Sequence, residues 1–229
     1  GPRPVPSPIP PTKDTMTHSF RFKTSLVVAA LFALPLAVQA QTMTKPDYTT
    51  ALVGKWHLGH VAPFWPPTGH GFDLFFGLPY SHDMKPLSLY TGEPGVELTQ
   101  EDVTMDRLTE RFFARGQKFI EASKERPFFL MLTLTAPHVP LDPNPSHAGH
   151  SAAGEYGDVV EEIDENVGRL IARLKELNID NDTLVVVTSD NGPWWEGSTG
   201  GLRDRKGGAG WEGGYRVPFI ARQPGRIPA

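Results

Sequence analysis

Three apolar runs show no alternation between inward and outward positions. They are Leu184 to Val187, Phe128 to Thr135 (FFLMLTLT) and the shorter Thr50-Ala51-Leu52-Val53. Runs of this kind suit parallel strands covered on both faces. A further strand is predicted over Tyr215 to Ala221, with Pro224-Gly225 ending it. Between these runs the period lengthens. Leu108, Phe112, Phe119 and Ile120 share one face of a helix predicted over Val103 to Lys124. Gly116 weakens that helix by up to ~1 kcal/mol relative to Ala. Tyr156, Val160, Ile163, Val167, Leu170, Leu174 and Leu177 recur at alternating spacings of four and three. That stripe predicts a second helix, packed on a sheet. Acidic residues crowd its first half and Arg169, Arg173 and Lys175 its second, which complements the helix dipole. Glu161-Glu162 with Asp164-Glu165 reads as a solvated face. Helices alternating with apolar strands give an α/β fold with a largely parallel sheet.

Ligands of such sheets bind beyond the carboxyl ends of the strands. Asp190 and Asn191 are the first polar side chains past Thr188-Ser189, and a carboxylate beside an amide oxygen suits Ca²⁺ or Mg²⁺. Asn191-Gly192 is also a common hairpin turn, but Pro193-Trp194-Trp195-Glu196-Gly197 supplies no returning alternating strand. His138 follows the Phe128 to Thr135 strand in the same way. Lys55 and His57 lie two positions apart between Gly54 and Gly59, so both point one way if the chain stays extended. Lys206 is framed by loops containing Gly200-Gly201 and Gly207-Gly208, which let backbone amides approach an anion. Each of these is an ordinary polar loop if taken alone. Together, two lysines, two imidazoles and two cation-seeking oxygens describe a pocket for a dianionic ester. Lysines would stabilise charge on its oxygens and a His would protonate the leaving alcohol. The stretch 63–79 (PFWPPTGHGFDLFFGLP) reads as a packed loop, because Phe64, Trp65, Phe72, Phe75 and Phe76 call for burial. It delivers Ser81, His82 and Asp83, which cannot form a nucleophilic triad from consecutive positions. Ser81 and His82 can donate hydrogen bonds to an anion.

Composition adds boundaries. The 229 residues carry a net charge of −4 and no cysteine. That leaves no basic face for nucleic acid and excludes disulfides, thiolate zinc and a Cys nucleophile. Residues 1–15 are Pro-rich and read as disordered. Residues 16–40 read as a secretory signal: Met16, then Arg21 and Lys23, an apolar Leu26 to Leu36, and cleavage after Val38-Gln39-Ala40. The apolar run is short of the ~20 residues a membrane span needs. Residues 41–229 would then be the mature, secreted or periplasmic chain, with no membrane anchor after cleavage.

The wording and order of ALVGKWHLGH (51–60), GHGFDLFFGLPYSHDM (69–84), RPFFLMLTLTAPHVPL (126–141), TLVVVTSDNGP (183–193) and GLRDRKGGAGWEGGYRVPFIARQPG (201–225) resemble the sulfatase family, of the arylsulfatase A type. The resemblance implies an alkaline-phosphatase-like α/β sandwich and hydrolysis of sulfate esters at a Ca²⁺ site, with Mg²⁺ as the other candidate. It implies that Asp190 and Asn191 are metal ligands and that Lys55 and Lys206 bind sulfate. It sets His57 near the nucleophile, assigns leaving-group protonation to His138, and places Ser81 and His82 on the pocket wall. The expected partner is a sulfated small molecule or glycan.

The departures are specific. The family's formylglycine forms from the Cys or Ser of a C/S-x-P-x-R motif, and no such motif and no Asp-Asp pair occurs here. The expectation is a chain lacking the family's N-terminal strand and its smaller C-terminal domain, inactive as a sulfatase and prone to aggregate. A non-catalytic binder of sulfated ligands and a phosphodiester or phosphonate hydrolase are the alternatives.

Overall fold

The structure, a computed structural model, describes residues 25–29, 48–208 and 210–228. The Pro-rich segment 1–15 and most of the predicted leader lie outside the described residues. Among the described residues, eight strands form one sheet: β1 (Ser25–Ala29), β2 (Thr49–Lys55), β3 (Leu74–Leu78), β4 (Ser88–Gly92), β5 (Thr99–Asp102), β6 (Phe128–Thr133), β7 (Thr183–Thr188) and β8 (Phe219–Arg222). Their spatial order is β5-β4-β3-β2-β6-β1-β7-β8. The middle strands β3, β2, β6, β1 and β7 are mutually parallel. β4, β5 and β8 add antiparallel edges.

The predicted strands and helices are present with shifted ends. The largest shift is at the last strand: Glu212–Tyr215 is one helical turn (α3), and β8 starts only at Phe219. The stretch 63–79 is not all loop, since β3 lies inside it with Phe75 and Phe76 buried. Phe64, by contrast, stays 57% exposed. β4 and β5 carry no alternating apolar signal; β5 is exposed at every position and takes its shape from its ladder with β4.

The expected absence of an N-terminal strand is corrected by β1. Ser25–Ala29 pairs in parallel with β6 on one side and β7 on the other. These residues belong to the apolar stretch that reads as a leader. A short apolar run rich in β-branched residues suits both uses, because a leader core and a central parallel strand place the same demand on composition.

Helix α1 (Leu108–Ser123) packs on β2, β3 and β6, and helix α2 (Gly154–Glu176) packs on α1. Phe112, Phe113, Phe128, Leu130, Leu132, Ile120, Leu170 and Leu174 form the centre of the core. Gly116 has a packing reason. A Cβ there would lie 3.2 Å from Leu132 and 3.3 Å from Leu130, so the glycine lets α1 settle close on β6. The α2 stripe divides along its length. Leu170 and Leu174 are buried in the core. Val160, Ile163 and Val167 instead line a cavity of about 870 Å³ together with Leu132, Leu134 and Val187.

The polar side of α2 is not simply solvated. Glu162 is 2% exposed; its Oε2 accepts from the Asn144 backbone N–H at 3.0 Å, while its Oε1 has no partner. Asp158 is also buried and accepts backbone N–H bonds from Gly149, His150 and Ser151. Those bonds hold the Pro- and Gly-rich loop that follows His138. They also keep the Asp158 carboxyl below the usual carboxylate range.

Candidate functional site

The carboxyl ends of four parallel strands meet along one edge, and each carries a loop with polar side chains. Lys55 ends β2; Ser81 and His82 follow β3; His138 follows β6; Asp190 and Asn191 follow β7. Lys206 arrives from the long connection between β7 and β8. Lys55, His138, Asp190, Asn191 and Lys206 line the cavity of about 870 Å³. His82 and His138 pack edge to face at 5.9 Å between ring centres. His57 is exposed, lies outside the cavity wall, and senses the charges of Lys55, Asp83, His138 and Lys206. Ser81 is buried beside His82 and lies off the cavity wall.

The end of β2 is drawn in tightly. Gly54 sits at φ +126, and a Cβ there would fall 2.0 Å from the Thr133 carbonyl oxygen. The Thr133 hydroxyl donates to the Lys55 carbonyl at 2.8 Å. After Lys55 the chain does not stay extended, so the condition under which Lys55 and His57 would point one way is not met. Trp56 N–H and His57 N–H bond to Leu78 and Pro79, and His57 turns into the left-handed region at φ 53. A non-glycine residue held there is uncommon and marks a locally over-determined position. Asn191-Gly192 is no hairpin: the Gly192 N–H reaches Gly214, and β8 returns only after the long loop.

Burial shapes the charges. Desolvation lowers the Lys55 pKa, opposed by Asp190 and aided by Lys206. Desolvation also lowers His57, with Lys55 adding to the effect, and lowers His82, with His138 adding to it. Those two rings are therefore neutral at pH 7. The neighbouring Ser81 hydroxyl holds the Asp83 carboxyl below the usual range. Ser81 Oγ and His82 Nε2 are buried without a hydrogen-bond partner that meets normal geometry.

The donor set falls short of a calcium shell. Asp190 and Asn191 offer one carboxylate and one amide, and the Asn191 amide N–H₂ donates to its neighbouring Gly192 carbonyl. Ca²⁺ takes about 6–8 oxygens. No group of three His, Cys, Asp or Glu side chains among the described residues is placed to hold a metal. β1 lies between β6 and β7, and no Asp or Glu occurs between Asp14 and Asp47.

The sequence reading missed the far wall of the cavity, which includes Thr188, Trp194, Glu196 and Arg216. A pair of indoles in a Gly-rich loop was the available signal for Trp194. Arg216 carried none, because only the folding of the loop brings it to the cavity.

The family model for sulfatases matches residues 34–229. N-acetylgalactosamine-6-sulfatase of Canis lupus familiaris is 35% identical over 216 residues, covering 84% of this chain and 40% of that protein. The crystal structure of the sulfatase PsFucS1 from Pseudoalteromonas sp. superposes with a TM-score of 0.75 at 30% identity, over 81% of this chain and 44% of that one. Ps i-CgsB in complex with k-i-k-neocarrahexaose gives a TM-score of 0.64 at 28% identity, over 80% of this chain and 46% of that one. The chain spans less than half the length of these relatives. With the parallel sheet, the loops at its carboxyl edge and the match over residues 34–229, the chain belongs to the sulfatase family and has its alkaline-phosphatase-like fold.

Proposed function

We propose that this chain carries the anion-binding part of a sulfate-ester hydrolase site and binds sulfated ligands without turning them over. The observation that carries the reading is the convergence of Lys55, Lys206 and His138 with Asp190 and Asn191 on one cavity. Lys55 and Lys206 supply the positive charge for the sulfate oxygens. In a complete hydrolase site His138 would pass the proton to the departing alcohol. Ser81 and His82 back this wall, and His57 adds polarity at the rim. Asp190 and Asn191 are the positions from which a calcium shell would have to be built, and they do not complete one alone. No residue here supplies the formylglycine nucleophile. The substrate class is a sulfated small molecule or glycan, met outside the cytoplasm. No helix among the described residues is long and apolar enough to cross a membrane.

Calorimetric titration of the full chain with inorganic sulfate and with 4-nitrophenyl sulfate tests this. Binding of both without release of nitrophenol is expected. Lys55→Ala and Lys206→Ala should each weaken sulfate binding at least about tenfold, the scale of one charge-assisted hydrogen bond. Binding should strengthen as pH falls through the lowered values of His57 and His82, because the rings then become cations. It should weaken at alkaline pH, where Lys55 loses its proton earlier than an exposed lysine. Absence of binding at millimolar sulfate by a folded chain would overturn the anion site. Measurable turnover would overturn the assignment as a non-catalytic binder.

A further inference from the structure

Past Asn191 the long loop presents aromatic rings to solvent instead of burying them. Trp194, Trp195 and Trp211 are 45%, 69% and 42% exposed. Indoles left in water on a rigid loop mark a contact surface more often than a defect. This loop is laced from several sides. Gly192 N–H bonds to Gly214, Lys206 N–H to Pro193, and Gly213 N–H to Arg203. Glycine is required in the lacing, since a Cβ on Gly192 would fall 1.8 Å from the Gly213 carbonyl oxygen. The Arg205 guanidinium lies 4.2 Å above the Trp195 ring and donates to the Trp194 carbonyl at 2.9 Å. One arginine thus holds the Trp195 ring and the Trp194 backbone, and the two indoles meet edge to face at 6.3 Å between ring centres. The Arg203 guanidinium sits 3.5 Å over Trp211.

Trp194 is the member of the group that also lines the cavity holding Lys206, Asp190 and His138. The Lys206–Pro193 backbone bond ties the anion-binding lysine to the residue before that indole. An indole therefore shares one cavity with Lys55, Lys206 and His138. A sugar ring has this pair of properties: a face of C–H groups that packs on an indole, and an equatorial oxygen that carries the ester sideways. Charge favours an anionic sugar. Arg216 lines the same cavity, and Arg205 donates to the Trp194 carbonyl. Glu196 also faces the cavity, Glu212 is partly spent on Arg216 at 3.7 Å, and the Asp204 carboxylate is turned back to the Arg205 backbone N–H.

We propose that Trp194 is a stacking subsite for the sugar ring that bears the sulfate ester, so that this chain binds a sulfated oligosaccharide more tightly than a small aryl sulfate. This rests on the anion site proposed above. Arg205 acts as a positioning residue through its stack on Trp195 and its bond to the Trp194 carbonyl.

The test is a fluorescence and calorimetric titration of the full chain with inorganic sulfate, a sulfated carrageenan hexasaccharide and the same hexasaccharide after desulfation. Trp194→Ala should weaken the sulfated hexasaccharide about tenfold, the loss expected for one aromatic contact, while inorganic sulfate shifts by less than about twofold. Trp194→Phe should recover most of the loss. That recovery, with matched thermal melts, separates stacking from a folding defect. Equal hexasaccharide affinity in wild type and Trp194→Ala overturns the subsite even where inorganic sulfate binds. Tryptophan-dependent hexasaccharide binding with no affinity for inorganic sulfate would retain the subsite and reject the anion corner. A wild-type chain that binds no hexasaccharide rejects the subsite outright. So does a concentration-dependent dimer that Trp194→Ala abolishes, because the indole would then serve a second copy of the chain.

Discussion

The same face of the sheet is finished differently on its two sides. Over β2, β3 and β6 it is closed by α1, and Phe112, Phe113, Phe128 and Leu132 are fully or almost fully buried. Over the carboxyl ends of β6 and β7 it is closed only partly by α2, and a cavity of about 870 Å³ remains under Val160, Ile163 and Val167. The outer edge on that side stays open as well, with Phe219 67% and Ile220 62% exposed. Packing stabilises the first half and chemistry occupies the second. A hollow with apolar sides and a cationic end forgoes dispersion contacts, and in return leaves room for a ligand.

The contrast can be broken most severely at β1, which joins the halves. A chain starting at Gln41 lacks β1 and loses its ladders to both β6 and β7. It should show no cooperative thermal melt, whereas the full chain should; equal melting by circular dichroism would show that β1 is dispensable. N-terminal sequencing of exported protein would show whether the leader is removed, because cleavage before Gln41 and a retained β1 exclude each other.

Within the packed half, Phe112→Ala should cost about 3–5 kcal/mol, as expected for truncating a fully buried aromatic. Denaturant unfolding would measure it. Gly54→Ala comes next. It should cost at least the roughly 1–3 kcal/mol of a strained backbone position, since the added Cβ has no room beside Thr133. It should also weaken sulfate binding by shifting Lys55, a loss that Phe112→Ala should not reproduce at temperatures where both variants are folded.

A smaller effect is expected at Glu162. Burial holds its carboxyl above the ordinary range, against the bond from Asn144 and the charge of His147, and with Glu110 and Asp106 adding to the rise. The unfolded chain releases this proton first. Stability contributed by the protonated group is therefore present below the ordinary carboxyl pKa of about 4.3 and is lost as pH rises toward the raised folded value. Glu162→Gln should flatten that part of the melting-temperature profile and melt no lower than wild type at pH 7; a profile of unchanged slope would reject the assignment. The smallest effect belongs to the open edge. Phe219→Ala should change unfolding free energy by no more than about 0.5 kcal/mol. A larger cost would mean that something covers this edge.

Sequence alone determined the α/β class, the α1 and α2 stripes, and the apolar strands β2, β6 and β7, because burial on a sheet imposes periods that survive without knowledge of neighbours. It also picked out Lys55, His138, Asp190, Asn191 and Lys206, since chemically expressive residues just past apolar strands stand apart locally. Tertiary structure decided the rest. Leu74 to Leu78 became a strand because β2 offered an edge, and Ser25 to Ala29 because β6 and β7 each offered one. Glu162 became buried, and Arg216 and Trp194 joined one wall, through contacts between segments far apart in the chain. A residue's local pattern can say that it wants burial or charge; only the arrival of a distant partner settles what meets it.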